Sequence, residues 1–263
     1  MSVVAQSPAA VAVHDKPRWL AIWAANHVIE DPVGSRPVVG GLLDRHSGER
    51  TTGALSRFWE AFIAANDIAF DVHHDFVSGN RVVRDVTIRT TLSSGATVQT
   101  PAHLLYELIE EDGEVRIRRM AAHWEVAPAF AQLIRPSFAN VRGIIGSSWR
   151  MMRYLGIAGT AGLAGAVVSV GDRGKQVAVD LVTRAQHGDA TATARLGGTV
   201  PDTLTKVIAA GDTVTASCTV NGSPAVLIVT MNRRTRRVIA VELFRDANRA
   251  YSRQLRAVGD RTA

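Results

Sequence analysis

The sequence predicts an α+β fold with a curved antiparallel sheet wrapped on helices, and three observations carry that prediction. Leu55, Phe58, Trp59, Phe62 and Ile63 fall at helical spacing, and a period-two run begins at Ile68 directly after them. Ser78-Gly79-Asn80, Ser93-Ser94-Gly95 and Glu111-Asp112-Gly113 then read as tight turns, dividing residues 67–125 into four strands. The same order, helix and then strand meander, recurs in shortened form after Gly174.

Taken in order, residues 1–16 are small and weakly patterned, which predicts a frayed start. Arg18 to Asn26 reads as a helix. Asp31-Pro32-Val33-Gly34 then forces a turn, because Pro32 pushes Asp31 out of the α region and Gly34 and Pro37 keep the chain turning. Thr51 or Thr52 is placed to cap the helix over 54–65. Ile68, Phe70, Val72, His74 and Phe76 alternate with polar partners as a half-buried strand. Strands follow at Arg81–Leu92, Thr97–Ile109 and Val115–Glu125. In the second half, a helix carries Val177, Val179, Leu181 and Val182. Leu204–Ile208, Asp212–Val220, Ala225–Met231 and Val238–Phe244 read as strands, and Asn221-Gly222 is the strongest hairpin signal in the chain.

These patterns divide the chain into a first domain over 1–130, an apolar Gly/Ala-rich linker over 131–173, a degenerate second copy over 174–250 and a basic tail over 251–263. Tyr154 to Gly171 carries no charge and is long enough for a membrane span. Its glycines recur every third residue from Gly156 to Gly165 and cost helix propensity, so an interfacial or protein-packed segment or a linker is the expectation.

The chain is 46% hydrophobic and 21% charged, as in ordinary globular proteins, with a net charge of +6. Arginines crowd its end, from Arg233 to Arg261. The aromatic residues among them, Phe244 and Tyr251, are too few for a stacking platform, which argues against nucleic acid and leaves a solvated tail or a peripheral membrane contact. Cys218 is the single cysteine, so no intrachain disulfide forms, and its strand setting makes it a small core residue. The first residues lack a charged n-region and apolar stretch, so the cytoplasm is the expected compartment.

The chemistry centres on Asp31. A carboxylate fixed at the lip of an apolar pocket gains basicity by desolvation, as proton abstraction beside a carbonyl requires. Met120, Ala122 and Trp124 share one strand face, and His103, Leu105 and Glu107 share another. His73, His74 and Asp75 do not form a metal site, because neighbouring strand residues point to opposite sides. No phosphate loop, nucleotide fingerprint or hydrolase triad spacing is present, and no cofactor is called for.

The run Val28-Ile-Glu-Asp-Pro-Val-Gly-Ser-Arg-Pro-Val-Val-Gly40, with Met120-Ala-Ala-His-Trp124, resembles the ketosteroid isomerase branch of the nuclear-transport-factor-2-like (SnoaL-like) cone fold, over about residues 18–128. The resemblance implies two such cones in tandem and an isomerase moving a proton within a steroid- or terpenoid-like ketone, with Asp31 as general base. It also implies an oxyanion donor on the strand before the last. Counting back from Trp124 puts Glu107 there, and anchoring on Gly113 puts Leu105 there. The family's helix tyrosine has no counterpart upstream of Trp19, and Tyr106 lies on a different strand. Candidate pocket residues are Trp19, Phe58, Phe62, His74, His103, Met120, Ala122 and Trp124. His123 points the other way, to the surface or an interface. Relatives pair through their sheets, so a second copy can pack within the chain as a pseudo-dimer in place of a homodimer.

Two further readings stand beside it. One is a non-catalytic carrier of a small apolar ligand, favoured by the missing tyrosine. The other is a limonene-epoxide-hydrolase-like enzyme, for which Arg84, Asp85 and Arg89 are the available charges. Arg84 and Asp85 are adjacent and face opposite sides, which breaks that set and makes surface ion pairs the expectation.

Overall fold

A computed structural model describes residues 2–41, 53–133, 153 and 167–245. It opens with a helix, α1 (Val3–Ala12), where a frayed start was expected. The Ser2 hydroxyl accepts from the Ala5 amide at 3.4 Å and caps it. Pro8, inside α1, has no N–H to offer the carbonyl four residues back. That carbonyl, of Val4, accepts instead from Arg84 Nη1 at 3.5 Å, which ties α1 to the sheet.

Helix α2 (Lys16–Ala21) is capped by Asp15 Oδ1, which accepts from the Arg18 amide at 3.1 Å. The helix expected to reach Asn26 stops here, and Trp23–Glu30 forms strand β1. β1 runs parallel to the last strand of the first sheet. Its alternation is hidden because Trp23, Ala24, His27 and Ile29 are all buried. After β2 (Val38–Val39), α3 (Gly53–Phe58) continues as a π-helical turn, Trp59–Ile63. The threonines expected to cap it lie outside the described residues.

Strands β3 (Asp67–Ser78), β4 (Arg81–Thr91), β5 (Thr97–Glu111) and β6 (Glu114–His123) form the expected meander. The sheet order is β2-β1-β6-β5-β4-β3. Helix α4 (Val126–Ala131) follows β6. The second unit has α5 (Gly171–Gln186), α6 (Ala190–Arg195) and strands β7 (Thr203–Ala210), β8 (Thr213–Val220), β9 (Ser223–Met231) and β10 (Val238–Arg245), in the order β10-β9-β8-β7. The whole is a mixed α+β fold with curved, unclosed sheet and helices. Most of the uncharged 154–171 segment and the tail beyond Arg245 lie outside the described residues. Among the described residues, no helix is long and apolar enough to cross a membrane.

The first sheet buries both faces. Its inner face, under the helices, carries Val82, Val86, Ala102, Leu104, Tyr106, Met120 and Ala122. Its outer face carries Phe76, Val83, Leu105 and Ala121, which pack with Ala210, Val226, Ile228 and Phe244 of the second sheet. Arg81 clasps the same joint, pairing with Glu242 at 2.5 Å and lying 4.9 Å over the Phe244 ring.

A polar network crosses this joint. Lys206 Nζ donates to Asp85 Oδ1 at 2.5 Å and to Val86 O at 2.6 Å, and Ser217 Oγ donates to Asp85 Oδ2 at 2.6 Å. With its proton given to Asp85, Ser217 can only accept from His103 Nε2, at 2.9 Å. His103 Nδ1 then accepts from Thr215 Oγ1 at 2.8 Å. His123, beside it, donates through Nδ1 to His103 O at 3.2 Å. The surface ion pairs expected of Arg84 and Asp85 are therefore corrected. Asp85 is buried in the joint, and Arg84 is buried on the inner side, holding Asp75 through two bonds of 2.7 Å. Arg89 and Asp71 do pair at the surface.

Candidate functional site

Aromatic packing under the helices shapes the site. Trp19 of α2 meets the Trp23 ring at 5.2 Å, Trp59 at 5.4 Å and Phe58 at 6.1 Å, and Phe58 meets Phe62 at 4.9 Å. Each such pair contributes about 1 kcal/mol beyond its burial and fixes ring orientation. The Trp19 indole donates to Ser7 Oγ of α1 at 3.2 Å, which pins α1 across the top.

Between these helices and the inner face lies a cavity of about 270 Å³. That is close to the lower end of the roughly 300–1,000 Å³ spanned by small-molecule sites. Trp19, Phe58, Phe62, Phe70, Leu104, Met120 and Trp124 give it an apolar wall. Asp31, Tyr106, Asn66, Ser7, Thr90 and Thr100 supply its polar groups.

Asp31 follows β1 at the start of the predicted turn, and the Asp31–Pro32 peptide is cis. The turn is held from β6, since the Val33 amide donates to Ala122 O at 2.9 Å. Trp124 Nε1 donates to Asp31 Oδ1 at 2.6 Å. Burial pushes the Asp31 carboxyl above its ordinary range, and the Trp124 bond offsets only part of that. The site thus holds a carboxylate of raised basicity on an apolar wall.

Tyr106 of β5 is 2% exposed and lines the same cavity. Burial, the largest influence, pushes its phenol up, so it stays a neutral donor, while the nearby Arg84 guanidinium pulls the other way. Asn66 donates through Nδ2 to Phe62 O at 2.7 Å, leaving Oδ1 buried without a partner.

The structure brings Asp31, Trp19, Phe58, Phe62, Met120 and Trp124 around one cavity. Ala122 packs in the adjoining core on the same strand face, behind the lining. Four expected residues lie elsewhere. Glu107 is on the outer face and accepts from Arg119 at 2.9 Å, in a set that Glu30 completes at 2.6 Å. His103 faces the second sheet, as does Leu105, the other candidate for the acid position. His74 is turned away by a β-bulge: Val72 pairs with Val86 and His74 with Asp85, leaving His73 as the extra residue. The bulge reverses the alternation, so Ile68 and Phe70 line the cavity while Phe76 enters the joint.

Tyr106, Asn66 and Ser7 were not anticipated as cavity residues. Alternation of Ala102, Leu104 and Tyr106 is the signal that marks the inner face of β5. Because the outer face is also buried, polarity does not tell the two apart.

The fold and the cavity define a cone-shaped α+β protein with a site of small-molecule size. The chain belongs to the SnoaL-like family, whose domain profile matches residues 4–135. No curated protein matches the chain. Among solved structures it is similar to a Δ5-3-ketosteroid isomerase from Mycobacterium sp., at 22% identity over 48% of this chain and 92% of that one, with a TM-score of 0.39. A Mycobacterium tuberculosis protein in complex with estradiol-17β-hemisuccinate matches at 24% identity over 48% and 92%, with a TM-score of 0.39. An LEH-like epoxide hydrolase from M. tuberculosis matches at 19% identity over 55% and 90%, with a TM-score of 0.38.

Proposed function

We propose that the protein is a ketosteroid-isomerase-like enzyme that moves a proton within a steroid- or terpenoid-like ketone, with Asp31 as general base. The observation that carries this reading is the carboxylate of raised basicity, bonded to the Trp124 indole, on the wall of an apolar cavity. Such a base takes a proton from carbon beside the ketone, and the developing enolate oxygen then needs a hydrogen-bond donor. Glu107 does not meet that need from the outer face. Tyr106 is the group able to meet it, as a neutral phenol in the same cavity. No cofactor enters the reaction.

The second reading is a carrier of a small apolar ligand, favoured by the absence of tyrosine upstream of Trp19. The hydrolase reading is weaker, since Arg84 is committed to Asp75 and Asp85 to the joint. Residues 174–250 are read as a shortened copy of the first unit. The order β10-β9-β8-β7, repeating β6-β5-β4-β3, supports this, and so does the sheet-to-sheet packing of a pseudo-dimer.

Turnover of 5-androstene-3,17-dione, followed by absorbance of its conjugated product, tests the enzyme reading in the wild type against Asp31→Asn. Steroid binding is measured in both by quenching of tryptophan fluorescence. Turnover lost in the variant with binding retained supports the base. Binding by both with turnover by neither replaces the enzyme with the carrier.

A further inference from the structure

The turn that carries Asp31 is supported from behind by the second unit. Gly34 lies on that turn at φ +94°, and Gly211 lies on the β7–β8 turn at φ +57°. A Cβ added at Gly34 would stand 2.7 Å from Gly211 Cα, and one added at Gly211 would stand 3.0 Å from both Gly34 Cα and Gly34 N. The two backbones are in direct contact with no room for a side chain on either. Next to them, Val33 sits in the joint cluster with Ala210, Val226 and Ile228. The Gly211 carbonyl accepts from the Val170 amide at 2.8 Å, which anchors this turn to the start of α5.

We infer that the second unit is a positioning device for Asp31, and that Gly211 is its positioning residue. The inference rests on Asp31 being the reacting group, but the geometry it concerns is measurable without turnover. Toward the cavity, the Asp31 turn is held by the Val33 amide on Ala122 O and by the Trp124 indole on Oδ1. Neither bond fixes the turn from the other side. The Gly34–Gly211 contact and the Val33 seat do so. A shift of about 1 Å in a reacting group costs on the order of a hundredfold in rate, so a backstop of this kind has catalytic weight. Charged or titratable groups near the turn are Tyr106 on β5, which feels the Asp31 charge, and Arg233 on the β9–β10 turn, whose Nη2 would lie 3.4 Å from a Cβ at Gly34; His123 on β6 and Asp212 beside Gly211 influence each other.

Gly211→Ala in the full chain tests this, with Gly222→Ala as control. Gly222 has a similar φ of +70° but open space around its Cβ, so it reproduces backbone strain without the contact. The readout is the ¹⁵N–¹H signal of the Trp124 indole across pH, assigned by its loss in Trp124→Phe, because that proton is bonded to Asp31. Gly211→Ala is expected to displace the signal and its titration midpoint, and to lower kcat about tenfold or more with KM within about twofold. Gly222→Ala is expected to leave all of these at wild-type values. Should Gly211→Ala fail to fold, Ile228→Val trims one methyl from the Val33 seat and should move the signal the same way. An indole signal unmoved in the folded variant, or moved equally by Gly222→Ala, overturns the inference. Displacement in a protein that turns over no ketone upholds the positioning and removes only the base.

Discussion

The Trp124 indole donates to Asp31 Oδ1 at 2.6 Å, linking the residue after β6 to the turn after β1. The bond favours the charged carboxylate against a burial that disfavours it. In Trp124→Phe only the burial remains, so the Asp31 pKa rises further. The acid limb of the kcat/KM profile is expected to move to higher pH. A limb at the wild-type position would detach it from Asp31.

Tyr106 carries the other half of the proposed chemistry. Tyr106→Phe keeps the ring and its packing and removes the donor. Loss of one preorganised donor typically lowers turnover on the order of a hundredfold. Steroid binding, which the apolar wall supports, should change far less. Unchanged turnover would leave the enolate oxygen to another group.

The joint between the units depends on the pairing of Lys206 with Asp85 at 2.5 Å. Burial pushes Asp85 up, but the bonds from Lys206 and Ser217, with the charge of Lys206, together hold it below its ordinary value. Lys206→Met leaves that carboxylate buried and unpaired, at a cost of about 3 kcal/mol in urea unfolding. Adding Asp85→Asn removes the orphaned charge and keeps an acceptor for Ser217, so the double variant should regain much of the loss. Equal losses in the single and double variants would contradict this.

Two histidines make the joint sensitive to acid. Burial, the largest influence on each, pushes His103 down to about 3 and His123 down to about 4. Both therefore fold neutral, while in the unfolded chain they take up protons near pH 6.5. Stability from this source is complete above pH 6.5. It falls as the pH drops toward 4, by about 1.4 kcal/mol per unit for each histidine. Melting temperature should decline over that window, and His123→Gln should make the decline shallower. An equal slope in the variant would place the acid sensitivity elsewhere.

Much of this architecture was legible in the sequence, and the gaps share a physical cause. The eight meander strands were readable because Gly, Asn and Asp turns bound them. Asp31, Met120 and Trp124 were readable because Pro32 fixes the turn and alternation fixes the face. β1 reads as the end of a helix because its buried residues leave no period-two pattern. β5 presents the opposite face from the one expected: counting back from Trp124 puts Glu107 at the acid position with His103 on its face, and both side chains are held on the outer side. Their partners are Thr215 and Ser217, more than a hundred positions away, and Arg119 across the sheet. The His73 bulge has no signature in residue type, and it alone displaced His74.

The central claim is that the Asp31 carboxylate takes the proton, and the rate ratio of wild type to Asp31→Asn on 5-androstene-3,17-dione tests it most directly. The substitution keeps the shape of the side chain and an acceptor for the Trp124 indole, and it removes the base. A loss of about a hundredfold or more in kcat, with steroid binding retained, is the predicted result. Equal turnover by the two proteins would contradict it.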